Sequence, residues 1–252
     1  MIRQPIVLIM GHVDHGKSSL LERIKGISIT AKEAGGITQT IKSYNVPIET
    51  ICACCGPLAE SLKKVTIPGL LFLDSPGHFA FNNLRKRGGS LADIAIVVID
   101  INEGLQPQTK ECLEILKETK TPFIVALNKV DLVQGWIASA ESLQQTLKIL
   151  SPAAQQRLDK KLYDIVAQLF EYGFSADRFD RITDFTQNIC LVPTSAKTGQ
   201  GLGELLMLVA GLAQKYLEKS LNIKVDGPGK ATVLEVTNEK GIGRCVDIIL
   251  YE

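Results

Sequence analysis

The sequence predicts a doubly wound α/β fold with a mostly parallel sheet, and three observations carry that expectation. Short unbroken apolar runs recur at residues 6–10, 70–73, 94–99, 123–127 and 189–193, the composition of strands buried on both faces. Helix-periodic segments lie between several of them, which implies right-handed crossovers and parallel pairing. Polar motifs follow the carboxyl ends of the runs, where open sheets of this kind bind ligands.

Composition sets the outer bounds. A chain of 252 residues suits one main domain plus an appendage. Lys+Arg 28 against Asp+Glu 27 leaves a net +1, so no whole-chain field marks a nucleic-acid binder, and any phosphate backbone would have to be met by a local patch. A hydrophobic content of 45% and a mean hydropathy of +0.13 fit a packed core rather than disorder. The longest aliphatic run, 94–99, is too short to span a bilayer, and the N-terminus leads straight into a strand instead of a signal peptide. A cytoplasmic monomer with no membrane contact is expected.

The first strand runs into Gly11-His12-Val13-Asp14-His15-Gly16-Lys17-Ser18, and residues 19–25 then show helical spacing expected to close at Gly26. Two glycines with four residues between them, followed by Lys and Ser, form the phosphate-loop pattern of a P-loop NTPase. Strand, loop and helix in this order aim backbone N–H groups and a helix N-terminus at one anion. Lys17 would neutralise the outer phosphates and the Ser18 hydroxyl would be a ligand of a bridging Mg2+. Val13, Asp14, His15, Gly16, Lys17, Ser18 and Ser19 are the candidate phosphate-end residues. The loop implies a nucleoside triphosphate without naming its base.

Residues 27–39 lack periodicity and read as a loop, and 41–48 alternate as a half-buried strand stopped near Pro47. The stretch 49–66 reads as an insertion with a short helix. It holds Cys52, Cys54 and Cys55, part of a total of six cysteines. Its Cys-x-x-Cys spacing invites a zinc or redox reading, but a structural zinc needs four ligands and no second pair or nearby His supplies them. Reduced thiols acting as small hydrophobes are the alternative, and a Cys52–Cys55 bridge stays open. The strand at 70–73 ends in Asp74-Ser75-Pro76-Gly77-His78, where Asp74 would hold Mg2+ through a water and the Gly77 N–H would reach the last phosphate.

A strand at 94–100 and a helix at 107–119 lead to a strand ending in Asn128-Lys129-Val130-Asp131. Guanine offers two adjacent donors, N1–H and the exocyclic amine, to one carboxylate; adenine does not. Asp131 is therefore the expected guanine reader, with the Lys129 stem along the base plane and Asn128 bracing the loops. Residues 132–187 form a long excursion with two amphipathic helices, marked by Leu143, Leu147 and Leu150, then by Leu158, Leu162, Ile165, Leu169 and Phe170. The last sheet strand, 189–193, ends in Thr194-Ser195-Ala196-Lys197, whose N–H groups would meet the guanine O6 while the Lys197 stem covers the base. A closing helix spans 202–217. Gly227-Pro228-Gly229 reads as a linker dividing a nucleotide-binding unit, 1–226, from a β-hairpin within 227–252. That hairpin is either the start of a β-barrel domain that has been cut off or a strand pair docked on the main unit.

These loops together resemble the translational GTPases. Gly-His-Val-Asp-His-Gly-Lys at 11–17 and Asp-x-Pro-Gly-His at 74–78 are shared across that superfamily. Gly-Gly-Ile-Thr-Gln at 35–39 is narrower and resembles the translation initiation factor 5B family and its bacterial relative, initiation factor 2. The stretches at 79–81, 85–89, 100–104 and 178–181, the insert at 49–66 and the excursion at 132–187 favour the archaeal/eukaryotic branch. The resemblance implies a GTPase, converting GTP to GDP and phosphate, that promotes joining of the large ribosomal subunit and acts beside other initiation factors. It also implies that Thr38 is the second Mg2+ ligand, that Thr38 and Gly77 sense the last phosphate, and that His78 orients the attacking water. Val13 and Ile37 would form an apolar gate around it, and Asp14 would help hold a monovalent cation. Arg85, Lys86 and Arg87 would meet ribosomal RNA phosphates. Ser18 departs from the more frequent Thr but keeps the hydroxyl. Initiator tRNA would be reached only through domains absent from this chain. An elongation-type factor and a metabolic P-loop kinase or ATPase are the rival readings, and Asp131 discriminates against the latter. The only three histidines, His12, His15 and His78, all fall in loops expected to face phosphate, and His78 is the best candidate for contact chemistry.

Overall fold

The structure is a computed structural model that describes residues 2–29, 42–62, 65–74, 92–137, 142–223, 229–239 and 241–250. Strands β1 (Ile6–Gly11), β2 (Lys42–Pro47), β3 (Gly69–Asp74), β4 (Ile94–Asp100), β5 (Phe123–Asn128), β6 (Ala176–Arg178) and β7 (Ile189–Pro193) form one seven-stranded sheet in the order β2-β3-β1-β4-β5-β7-β6. Only β2 runs antiparallel, paired with β3 at one edge, and the other neighbours are parallel. All residues of β4 and β5 are buried, which explains why both read as continuous apolar runs rather than alternating ones. The chain leaves β1 toward β3 and leaves β4 toward β5, so the connections part between β1 and β4, the crevice where such sheets take ligands.

Helix α1 (Lys17–Ile29) follows β1 and α2 (Ile48–Cys55) follows β2. Contrary to the expected stop at Gly26, α1 runs past it for three more residues. A lone glycine costs about 1 kcal/mol relative to alanine, too little to end a helix without a proline or cap beyond it. Helix α3 (Pro107–Thr119) joins β4 to β5, and α4 (Leu143–Ile149) and α5 (Pro152–Glu171) fill the excursion. Ser142 and Gln145 cap α4 reciprocally, and Ser151 caps α5 ahead of Pro152. Helix α6 (Leu202–Leu221) closes the sheet. A separate two-stranded antiparallel sheet, β8 (Ala231–Glu239) with β9 (Gly243–Leu250), forms the expected hairpin, with a bulge at Val233/Glu235.

The described part of the insert at 49–66 holds the expected short helix and docks on α6. The buried Cys55 thiol donates to the Gly203 carbonyl of α6 at 3.2 Å, and Thr66 and Ile67 backbone N–H groups converge on Gln214 Oε1 at 2.8 and 3.2 Å. Burial pushes the Cys55 thiol up to about 12, aided by its cysteine neighbours. All six cysteines are free thiols, and the described residues contain no group of three or more His, Cys, Asp or Glu placed to hold a metal.

The excursion contributes a stripe to the main core. Ala154, Leu158, Leu162, Ile165 and Leu169 of α5 are all at most 1% exposed, at helical spacing. Phe170, expected on the same face, is 72% exposed, because one residue rotates the helix by about 100° away from Leu169. Strand β6 was not expected: Ala-Asp-Arg has no apolar pattern, so the sheet ends one strand beyond β7. Polar contacts hold it. Arg178 donates to Asp180 at 2.6 and 2.9 Å and to Asp159 of α5 at 3.0 Å, and Arg181 donates to Asp159 at 2.7 Å and Tyr163 at 3.0 Å. Truncating Leu158 to alanine is expected to cost about 2–5 kcal/mol, read as a lower urea midpoint with unchanged slope. An unchanged midpoint would mean that the excursion does not share the sheet's core.

Candidate functional site

Four loops meet at the carboxyl ends of β1, β4, β5 and β7. The first turns sharply. Gly11 has φ 134° and pairs so closely with β4 that a Cβ would stand 2.3 Å from the Val98 carbonyl oxygen. A single 3-10 turn, Val13–His15, then leads through Gly16, with φ 86°, into α1. A Cβ at Gly16 would lie 2.4 Å from Asn128 Nδ2, so only glycine lets the loop sit against β5. Ser18 and Ser19 stand exposed on the first turn of α1, and Val13 is 65% exposed with its N–H donating to Gln108 Oε1 at 3.1 Å. Lys17 Nζ donates to the Gly11 and His12 carbonyls at 2.8 and 2.6 Å, which folds the ammonium over the loop.

His15 lies in the loop expected to face phosphate, but its ring turns inward. Its ring is fully buried and turned toward β4, with Nδ1 3.3 Å from the Val98 carbonyl. A carbonyl only accepts, so Nδ1 carries the proton. Nε2 lies 3.4 Å from a Glu103 carboxylate oxygen without hydrogen-bond alignment. Burial holds this imidazole below its ordinary 6.5, against the Val98 bond, and the His12 ring, packed edge-on at 5.1 Å, adds to the lowering. The ring of His15 is therefore packed in the core rather than turned to the mouth of the loop.

Asn128 joins the phosphate-end and base-end loops. Its Nδ2 donates to the His15 carbonyl at 2.9 Å and its Oδ1 accepts from the Ala196 N–H at 3.0 Å. Beyond it, Ser195 Oγ donates to Asp131 Oδ1 at 2.6 Å and accepts from the Thr198 N–H at 3.1 Å. Asp131 thus has one oxygen fixed, with the carboxylate half-buried at the mouth, and Lys197 is exposed beside it. Lys129 takes a left-handed backbone, φ 63°, and its ammonium lies 2.8 Å from Asp100 Oδ2. Burial acts most strongly on Asp100 and would raise it, but the hydrogen bonds from Lys129 and Asn102 outweigh that and keep the carboxyl below the usual range. The same contact raises Lys129.

The structure therefore brings together Val13, Asp14, His15, Gly16, Lys17, Ser18, Ser19, Asn128, Lys129, Asp131, Ser195, Ala196 and Lys197. Thr38, Gly77 and His78, with Ile37 and the basic residues 85–87, lie outside the described residues, as does the side chain of Asp74. The backbone of Asp74 ends β3 in register with Ile9. An open cleft of about 1110 Å³ begins at Ser19 and Ala196 and continues between α1 and α2 to Gly203. Asp100 was missed as a site residue although an acidic end to a buried strand was the signal used for Asp74.

The donors suit an anion rather than a protein-built metal cage. The N-terminus of α1 and the Lys17 ammonium lie at the 11–18 loop, which Gly16 seats against Asn128. Magnesium is commonly held by one or two protein oxygens plus phosphate, and the exposed Ser18 hydroxyl fits that pattern.

Comparison with known proteins places this geometry. A sequence model described as the elongation factor Tu GTP binding domain matches residues 3–215. A probable translation initiation factor IF-2 of Methanopyrus kandleri is 56% identical over the whole chain, and one of Thermococcus onnurineus is 53% identical. The chain spans 42% of the length of each. A crystal structure of GDP-bound aIF5B from Aeropyrum pernix superposes with a TM-score of 0.88 at 47% identity, covering 100% of this chain and 42% of that one.

The depressed His15 gives a pH prediction. Below 6.5 the unfolded chain takes up the imidazole proton before the folded one does, so stability falls as pH drops through that window. Between about pH 7 and about pH 5.5, above the carboxylate range, thermal scans should show a falling Tm whose slope is reduced in His15→Asn. Asparagine keeps a donor for Val98 but cannot titrate; equal slopes would remove His15 as the cause.

Proposed function

Because this chain belongs to the family of the elongation factor Tu GTP binding domain, we propose that it forms the GTP-binding and GTP-hydrolysing switch of a translation initiation factor of the IF-2/aIF5B type. The observation that supports this most directly is Asn128, which ties the phosphate loop to the Ala196 loop while Ser195 sets Asp131 as a base reader. Relatives at 56% and 53% identity carry the initiation-factor name, which favours that reading over an elongation factor. A structure of the elongation factor SelB from Methanococcus maripaludis, 20% identical with a TM-score of 0.56, shares the fold alone.

In this proposal the backbone of residues 13–19 and Lys17 hold the phosphates, the ammonium leaving its loop carbonyls for the stronger charge-assisted bond. Ser18, Thr38 and Asp74 would hold Mg2+, which would neutralise phosphate charge when bound. Thr38 and Gly77 sense the last phosphate and release when it departs. His78 orients the attacking water between Val13 and Ile37. Asp14 helps hold a monovalent cation. At the other end Asp131 reads the guanine edge, Lys129 and Lys197 flank the base, and the Ser195 and Ala196 N–H groups meet its O6.

Residues 1–226 act as the nucleotide-binding unit and 227–252 as the first hairpin of a β-barrel domain. The protein works in the cytoplasm as a monomer on the ribosome and promotes subunit joining beside other initiation factors. The large subunit and its RNA near Arg85, Lys86 and Arg87 stimulate hydrolysis, and initiator tRNA is bound by parts of the protein outside this chain. No helix among the described residues is long and apolar enough to cross a membrane.

Two measurements test the proposal. Asp131→Asn should shift preference from GDP toward xanthosine diphosphate by on the order of a hundredfold, since the amide pairs with the xanthine edge; ATP competing as well as GTP would overturn the base assignment. Adding large ribosomal subunits should accelerate GTP hydrolysis by the parent chain, while His78→Ala keeps GDP affinity and loses most of that stimulation. Stimulated turnover that survives in His78→Ala would remove the water-orienting role.

A further inference from the structure

Asp100 closes β4 between the phosphate loop and the base-reading loop, and it is 3% exposed. A carboxylate is costly to bury unless every oxygen is paired. Here the pairing is complete: Lys129 Nζ at 2.8 Å on Oδ2, with the Asn102 backbone N–H at 2.8 Å and Asn102 Nδ2 at 3.1 Å on Oδ1. The carbonyl of Asp100 accepts from the Glu103 and Gly104 N–H groups at 3.2 and 2.9 Å, which closes the turn. One residue on, the Ile101 N–H donates to the Asn128 carbonyl at 3.0 Å, so the turn also grips the start of the reading loop.

Lys129 needs such a hold. Its φ of 63° lies in the left-handed region that side-chain-bearing residues rarely adopt. Its side chain is 31% exposed, so solvent alone would let it swing among rotamers. Glu103 and Asp14 add attraction through space, but the contact in hydrogen-bond geometry is with Asp100.

We propose that Asp100 is the positioning residue of the base-reading loop, pinning the Lys129 ammonium so that the lysine stem lies ready along one face of the bound base. This rests on the reading of residues 128–131 as the guanine site. The division of labour follows from chemistry. Asp131 recognises the guanine edge, whereas an aliphatic stem packs on any purine face. Asp100 therefore sets affinity for purine nucleotides generally and leaves edge selectivity alone.

The test uses the whole chain with GDP and inosine diphosphate, which lacks the exocyclic amine. Asp100→Asn should weaken both by about tenfold, the worth of one hydrogen bond to a charged group, with their ratio unchanged. In a Lys129→Met background, which keeps an unbranched apolar stem without the charge, Asp100→Asn should add nothing further. Parent-like GDP affinity in Asp100→Asn overturns the proposal. So does a loss that persists at full size beside Lys129→Met, since it would then act through the fold. If Asp100→Asn does not fold, Asn102→Ala, which frees one bond of the carboxylate at an exposed position, should weaken both nucleotides by about twofold and lose that effect beside Lys129→Met. Parent-like binding in Asn102→Ala would then count against the proposal. A failure of Asp131→Asn to shift toward xanthosine diphosphate would instead sink the underlying base reading.

Discussion

The candidate site hangs on the side chain of Asn128. Its amide spans two loops that leave different strands, donating to His15 and accepting from Ala196, and at 1% exposure it has no solvent to substitute for either partner. A buried amide with a lost partner carries the full desolvation cost of the orphaned group. The spacing of the His15 and Ala196 loops is thus set by one residue of β5. Gly16 expresses the same constraint from the other side, because its missing Cβ makes the room that Asn128 occupies.

Around this brace three side chains of the site are engaged internally. Lys17 rests on loop carbonyls and Lys129 on Asp100, while His15 is kept neutral by burial against β4.

Away from the site, the additions to the sheet are fastened by different means. The segment with the cysteines docks on α6 through the buried Cys55 thiol and the Gln214 amide. The excursion is fastened by the apolar stripe of α5 and by the Arg178 and Arg181 network to Asp159. Strand β6 was illegible because its three residues carry no periodic pattern; what makes it a strand is an ion network reaching back to a helix about twenty positions earlier. The helix continuing past Gly26 and the exposure of Phe170 were misjudged for a related reason, since composition near a position does not state what packs against it.

What the sequence by itself determined is the sheet, its flanking helices and the family of loops at its carboxyl edge. Those signals are local: a strand buried on both faces must be apolar throughout, and a phosphate cradle must have glycines at fixed spacing. Tertiary structure alone decided which motif side chains are buried and which stand exposed. His15 looks like its neighbour His12 in the chain, yet its ring belongs to the core because Val98, 83 residues away, supplies the carbonyl it points to. Asp100 looks like a strand-ending turn residue, yet its carboxylate is committed to Lys129. Burial and pairing depend on which distant segments arrive at the same point, and no local pattern of residues records that.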